Sequence, residues 1–181
     1  MERKFWYTFL MIEFPVINPE NVTSDEVNIY PVREASRAVV LDKNGMVALL
    51  HVTKESYYKL PGGGIEVGED KISALHRECQ EEIGCEIEVI GEVGSTIEYR
   101  KIFKLKQISY CYFAKVKGEK GTPNLDDGEI DAGFEQVWLP YEEALVALVN
   151  STATSIEGNQ YIVPRDTLLL TEAQKYLAGI G

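Results

Sequence analysis

The sequence predicts an α/β fold, a mixed β-sheet with helices packed on its faces. Three features carry that prediction. Short apolar runs alternate like strands, one central segment switches to helical spacing, and the last third returns to helical patterns. At 181 residues the chain fits one domain, 1–181, long enough to bury a full core. Within it, residues 1–32 read as an N-terminal strand and connector, and residues 151–181 as a helical tail.

Taken in order, "FWYTFLMIEF" is aromatic and apolar enough for a strand, and a polar, turn-rich connector follows it. The opening residues superficially resemble a leader, but Glu13 interrupts the apolar run and Pro15 follows it, so targeting is not expected. Val39 to Leu41, the turn Asp42-Lys43-Asn44-Gly45, and Met46 to Val52 read as a hairpin. "KESYYKLPGGG" reads as a loop closed by Pro61 and the glycines. Ile72, Leu75, Cys79 and Ile83 recur at helical intervals, with Gly84 placed as a C-terminal stop. "EIEVIGEVGSTIEYR" and "KQISYCYFAKV" alternate like paired strands, "GEKGTPNLDDGEIDAGFE" is a long acidic loop, and "EQVWLP" is a short strand. "YEEALVALVNS" and "PRDTLLLTEAQKYLA" are helices, the second with Pro164 near its first turn.

Composition narrows the function. A net charge of −11 argues against duplex nucleic acid as a partner, because phosphate neutralisation needs a basic surface. It does not exclude a small phosphorylated ligand, since carboxylates that bind a divalent cation reverse the local field. Cys79, Cys85 and Cys111 form an odd set without a C-x-x-C pair, which speaks against a disulfide framework or zinc site and for a reducing, cytoplasmic setting. No stretch has the length of a membrane span, so no membrane partner is expected. The aromatic N-terminal strand is a candidate for pairing across a homodimer.

The densest chemistry lies in "GGGIEVGEDKISALHRECQEEIGC". On a helical wheel Glu82 lies about 40° to one side of Glu78 and Glu81 about 60° to the other. Leu75, Cys79, Ile72 and Ile83 form a separate apolar arc, with His76 at its edge and small Ala74 leaving the acidic arc open toward the loop. Like charges at i,i+4 repel, so an acidic arc costs helix stability, whereas a hard divalent cation wants converging carboxylate oxygens. On the helix alone, a solvated acidic face explains the residues equally well. Gly62 to Gly64 let backbone atoms approach a ligand closely, and their spacing fits neither a P-loop nor a dinucleotide fingerprint.

Spacing is more specific than composition. Gly63, five residues, Glu69, seven residues, then Arg77-Glu78-Cys79-Gln80-Glu81-Glu82-Ile83-Gly84-Cys85 resembles the Nudix box at every defined position, with cysteines where aliphatic residues are usual. The flanking "YYKLPGGG" and "FEQVWLPYEEAL" extend the similarity over most of residues 33–150. The resemblance to Nudix hydrolases implies an α/β/α sandwich with a mixed sheet, the box forming loop–helix–loop. It also implies attack of water on the diphosphate linkage of a nucleoside diphosphate derivative. By position, Glu78, Glu81 and Glu82 would bind Mg²⁺, or Mn²⁺ in its place, together with the carbonyl of Gly63. Glu69 and Arg77 would form a supporting pair, and Glu78 or Glu82 would act as base.

Family members often add a carboxylate from a later loop. Glu135 is the best-placed residue for it, with Asp127 and Glu129 behind it, although those two read more readily as a solvated loop. Tyr57 and Tyr58 are candidates for stacking on a nucleoside, and Arg37 and Arg100 for phosphate or ribose, although each arginine reads more readily as an ordinary surface residue. His51 and His76 read as structural, and Arg165 as phosphate contact or helix-terminal charge pair. Substrates left open are a nucleoside triphosphate, an oxidised nucleotide and a nucleotide sugar, with capped or triphosphorylated RNA disfavoured by the acidity. The alternative is a non-catalytic Nudix-type nucleotide-binding module, although such modules typically lose box acids that this chain keeps. Isopentenyl-diphosphate isomerases carry a Cys and a Glu elsewhere, in a constellation absent here.

Overall fold

Strand alternation in the middle of the chain decides the architecture. In β1 (Val32–Leu41), Val39 and Leu41 point to one side of the sheet and Ala38 and Val40 to the other. β2 (Met46–Val52) repeats this division with Val47 and Leu49 against Ala48 and Leu50. Both faces are therefore apolar, and each must be covered. The computed structural model, which describes residues 11–177, shows that cover as helical layers on the two faces of a seven-stranded mixed sheet.

The remaining elements are α1 (Ser24–Asn28), β3 (Tyr57–Lys59), β4 (Gly62–Gly64), α2 (Lys71–Ile83), β5 (Ile87–Arg100), β6 (Leu105–Val116), α3 (Asp127–Ala132), β7 (Phe134–Pro140), α4 (Tyr141–Val149), α5 (Val163–Glu172) and α6 (Gln174–Leu177). A π-helical turn, Gly158–Ile162, leads into α5. The sheet runs β3-β2-β1-β6-β5, with β4 on β1 and β7 on β2. β1 and β6 are parallel over Val32–Leu41, and the other named pairs are antiparallel. α2 covers one face through Leu75, Cys79 and Ile83. α4 and α5 cover the other through Ala144, Leu148, Leu169 and Leu170.

The hairpin β1–β2 is paired only at its turn, Leu41 opposite Val47. Beyond it the strands diverge and admit two short pieces, β4 against Ala35 to Arg37 and β3 against Leu50 to Val52. The segment "KESYYKLPGGG" is thus not a plain loop. Its strands are three residues each and held by backbone pairing, which leaves no periodic signal to read. The wedge between β1 and β2 is where the site forms.

α2 starts at Asp70, whose carboxylate accepts from the amides of Ile72 and Ser73 at 2.9 and 2.8 Å. It ends at Gly84, in the left-handed region at φ 62. Two expectations for its faces fail. Ile72 is 37% exposed because it lies in the first turn, and His76 is exposed rather than at a buried edge. The predicted acidic loop also contains α3, capped by Asp126 and Glu129 in a reciprocal capping box. The C-terminal helices do not trail from the fold, since Leu169 and Leu170 enter the core and Asp166 accepts from the Leu60 amide at 2.9 Å. The N-terminal strand predicted over residues 5–14 lies largely outside the described residues. Its described end runs beside β5, with isolated bridges Glu13 to Ser95 and Ile17 to Glu98. Cys79, Cys85 and Cys111 are buried and free, and no helix among the described residues is long and apolar enough to cross a membrane.

The hairpin turn has its own lock. Asp42 accepts from the amides of Asn44 and Met46, both at 2.8 Å, and from Lys120 Nζ at 2.6 Å. Lys120 also lies 3.6 Å over the Trp138 ring. Burial works to raise the Asp42 carboxyl, but Lys120 and the two amides outweigh it and hold it below its ordinary value. A depressed native pKa adds stability above the unfolded carboxyl range near ~4, and that contribution disappears as pH falls through the folded value. Asp42→Ala is expected to cost about 1–3 kcal/mol at neutral pH. Urea unfolding should show that difference from wild type narrowing as pH is lowered from about 5 toward 2.

Candidate active site

The helical period places Glu78 and Glu82 on one face of α2, one turn apart. Both are nearly buried, at 8% and 1% exposure, beside the glycine strand β4. Glu82 accepts from the Gly62 amide at 2.5 Å and from Lys59 Nζ at 2.7 Å. Burial pushes its carboxyl up to about 7, against the opposing pull of Lys59 and the Gly62 amide. A Cβ on Gly63 would sit 2.5 Å from the Glu78 carboxylate oxygens. Glycine is therefore required there for close approach, since any side chain would displace the carboxylate.

α3 supplies a third acid. Carboxylate oxygens of Glu78, Glu82 and Glu129 lie within 4.8 Å of one another. Burial raises the Glu129 carboxyl, with a further contribution from the nearby Asp126 charge against a lowering backbone bond. Glu135 does not join the group. It lies exposed on β7 opposite His51, because strand alternation turns it away while Phe134 and Gln136 point inward. The signal that could have found Glu129 is its place three residues after Asp126, the N-cap spacing of a helix start.

Arg77 organises the outer side. It donates to Glu69 at 2.8 and 3.0 Å, to Glu78 at 2.8 Å, to Glu81 at 3.0 Å and to the Gly64 carbonyl at 2.9 Å. The Glu69 carboxyl is held down at about 2, first by its bond to Arg77. Glu81 is turned to Arg77 and lies outside the three-acid group. Three hard oxygen donors and a cradle that a Cβ would fill suit a divalent cation, which Glu78, Glu82 and Glu129 would hold.

These acids open onto a cleft of about 290 Å³ in the wedge. Arg37, Lys59, Arg100, Arg165, Tyr57 and Phe134 line its inner part. Arg37 and Arg100 are not surface residues, being 5% and 2% exposed. Arg100 pairs with Glu98 at 2.5 Å and with Glu157. Arg165, fully buried, donates to its neighbour Asp166 at 2.7 and 3.1 Å and to Glu98 at 3.2 Å. Burial opposes its charge, but Asp166 and Glu98 outweigh that and keep the guanidinium protonated above its ordinary value. Tyr57 is buried in the cleft wall. Tyr58 is not part of that wall and stacks on His51 at 4.5 Å between ring centroids. Lys59 and Arg33 were not legible as cleft residues in the sequence, and Glu129 ranked there behind Glu135.

Gly63→Ala is expected to abolish divalent-cation binding while the protein stays folded, because the new methyl displaces Glu78 and leaves the strand pairing of β4 intact. Cation titration alongside circular dichroism checks both halves of that expectation.

The fold alone is shared with solved structures of low sequence identity. A NUDIX hydrolase from Nitrosomonas europaea superposes with a TM-score of 0.57 at 17% identity, over 82% of this chain and 90% of that one. The family model described as "NUDIX domain" matches residues 31–157, and the chain belongs to the Nudix family. Among curated relatives, an RNA pyrophosphohydrolase of Sulfurovum sp. (strain NBC37-1) is 33% identical over 94 residues, 48% of this chain and 60% of that protein. An RNA pyrophosphohydrolase of Pelagibacter ubique (strain HTCC1062) is 32% identical over 81 residues, 43% of this chain and 51% of its own length. The matches thus span little more than half the length of these relatives.

Proposed function

We propose that the protein is a pyrophosphohydrolase, dependent on Mg²⁺ or Mn²⁺, that adds water across the diphosphate linkage of a small nucleotide derivative. The observation that carries this reading is the convergence of Glu78, Glu82 and Glu129 within 4.8 Å beside an arginine-rich cleft. When bound, the divalent cation supplies polarisation of phosphoryl oxygens and acidification of a water. Glu78, Glu82 and Glu129 would hold it, with the Gly63 carbonyl as a further donor, and Arg77 with Glu69 and Glu81 fixes the orientation of Glu78. Lys59 balances the charge of Glu82 and keeps that carboxylate aimed into the wedge. Water oxygen bonds to phosphorus, the bridging oxygen leaves with the electron pair, and Glu78 or Glu82 takes the water proton.

Both curated relatives are named RNA pyrophosphohydrolases, which supports the reaction type. The charge of −11 favours a small substrate over a long nucleic acid. The test is a hydrolysis panel with Mg²⁺ and with Mn²⁺, covering nucleoside triphosphates, oxidised nucleotides, nucleotide sugars and a 5′-triphosphorylated oligonucleotide. Turnover of at least one class is expected. No turnover of any, with weak cation binding, leaves a nucleotide-binding module as the function.

A further inference from the structure

The cations of the cleft are not equivalent. Lys59, Arg77, Arg100 and Arg165 are each held by at least one carboxylate. Arg37, only 5% exposed, has no carboxylate partner among the described residues. Its Nη1 donates to the Gly62 carbonyl at 2.8 Å and its Nε to Ser109 Oγ at 3.4 Å, while Nη2 has no acceptor among the described residues. Burial, then repulsion from Arg165, lowers this guanidinium to about 10, so it remains charged at neutral pH. Asp166, Glu98 and Glu82 favour its charge from a distance, but none of them bonds it, and a buried guanidinium with no carboxylate in contact is costly to keep. Arg33 lies four residues earlier on the same side of β1, about 13 Å away at the strand rise. It lines the cleft and its outward continuation past Glu78 and Glu129, and it donates to Gln107 Oε1 at 3.2 Å without a carboxylate partner.

We propose that Arg37 receives the terminal phosphate of a polyphosphate chain laid across β4, with Arg33 on the outer part of that chain, so that the substrate ends in a free phosphate. This rests on the diphosphate-cleaving function proposed above. A terminal phosphate offers more charge and more free oxygens to a guanidinium fork than an esterified one. The inner part of the cleft, about 290 Å³, opens past Glu78 and Glu129 into an outer part of about 460 Å³, so a chain can run outward from Arg37. Around Arg37 the cleft is walled by the buried Arg100, Arg165, Tyr57 and Gly62, which leaves the nucleoside outside. Nucleoside triphosphates and 5′-triphosphorylated oligonucleotides meet the requirement. Nucleotide sugars and dinucleoside polyphosphates, blocked at both ends, do not.

The test pairs binding with rate. Inorganic tripolyphosphate is titrated into wild type, Arg37→Met and Arg37→Lys without added metal, and melting is followed in parallel. Specificity constants are then compared for ATP, a 5′-triphosphorylated oligonucleotide, a nucleotide sugar and diadenosine tetraphosphate. Wild type is expected to favour free-ended substrates by about tenfold or more, the two free-ended arms showing which carrier is used. Arg37→Met should weaken tripolyphosphate binding about tenfold or more and erase the preference, with a melting temperature no lower than wild type, and Arg37→Lys should fall between. Unchanged tripolyphosphate affinity in both variants, or a wild-type preference for end-blocked substrates, overturns the proposal. Cleavage of nucleotide sugars alone would sink it while leaving the diphosphatase reading standing. Arg37-dependent tripolyphosphate binding without any turnover would do the reverse.

Discussion

Glu78→Gln is expected to lower turnover by roughly a hundredfold or more, and Glu82→Gln to do the same. The two substitutions act on one arrangement by different routes. Glu78→Gln keeps the side-chain volume that fits against Gly63 but leaves one neutral oxygen where Glu78 offers two charged ones. Arg77 retains Glu69 and Glu81 in that variant, so the fold is expected to melt close to wild type. Glu82→Gln removes the charge opposite Lys59, whose side chain is only 10% exposed, and some stability is lost with it. Cation titration separates the effects, because both variants should bind Mg²⁺ or Mn²⁺ more weakly whatever their melting temperature. Near wild-type turnover in both would show that these acids are not the metal-binding set.

The largest stability effect is expected at Arg165. The side chain is fully buried and bridges Asp166 and Glu98, which in turn hold the Leu60 amide and Arg100. Arg165→Met removes one charge, leaves Asp166 buried without a cation and leaves Glu98 with Arg100 alone, at a cost of about 3–5 kcal/mol. Denaturant unfolding should show this as a lower midpoint with an unchanged slope. Arg165→Met combined with Asp166→Asn should recover part of the loss, because the stranded charge is then gone. A single variant as stable as wild type would mean that the network contributes nothing net to folding.

Much of the fold was readable because it rests on local period. α2 is fixed by Leu75, Cys79 and Ile83 between Asp70 and Gly84, and β5 and β6 by alternation. The box glutamates were readable because spacing alone puts Glu78 and Glu82 on one face. What failed depended on partners distant in sequence. Arg37 and Arg100 read as surface residues since nothing near them announces Ser109, Glu98 or Glu157. Glu135 stood next to an obvious strand, yet strand parity turned it outward, and Glu129 reached the site through a six-residue helix hidden in acidic sequence. Tyr58 and Tyr57 are neighbours on β3, so alternation admits one to the cleft wall and sends the other to His51.

The early divergence of β1 from β2 has a consequence for how such a protein can change. Through that opening, the α2 layer contributes the acids and the α5 layer, through Arg165 and the turn at Glu157, contributes the far wall of the same cleft. The two contributions arise from separate stretches of chain, yet the Asp166 bond to the Leu60 amide ties residues 157–166 to the segment that leads into β4, so a change in the far wall bears on the acids as well. The two walls of the cleft are therefore coupled through a buried hydrogen bond as well as through the space between two strands.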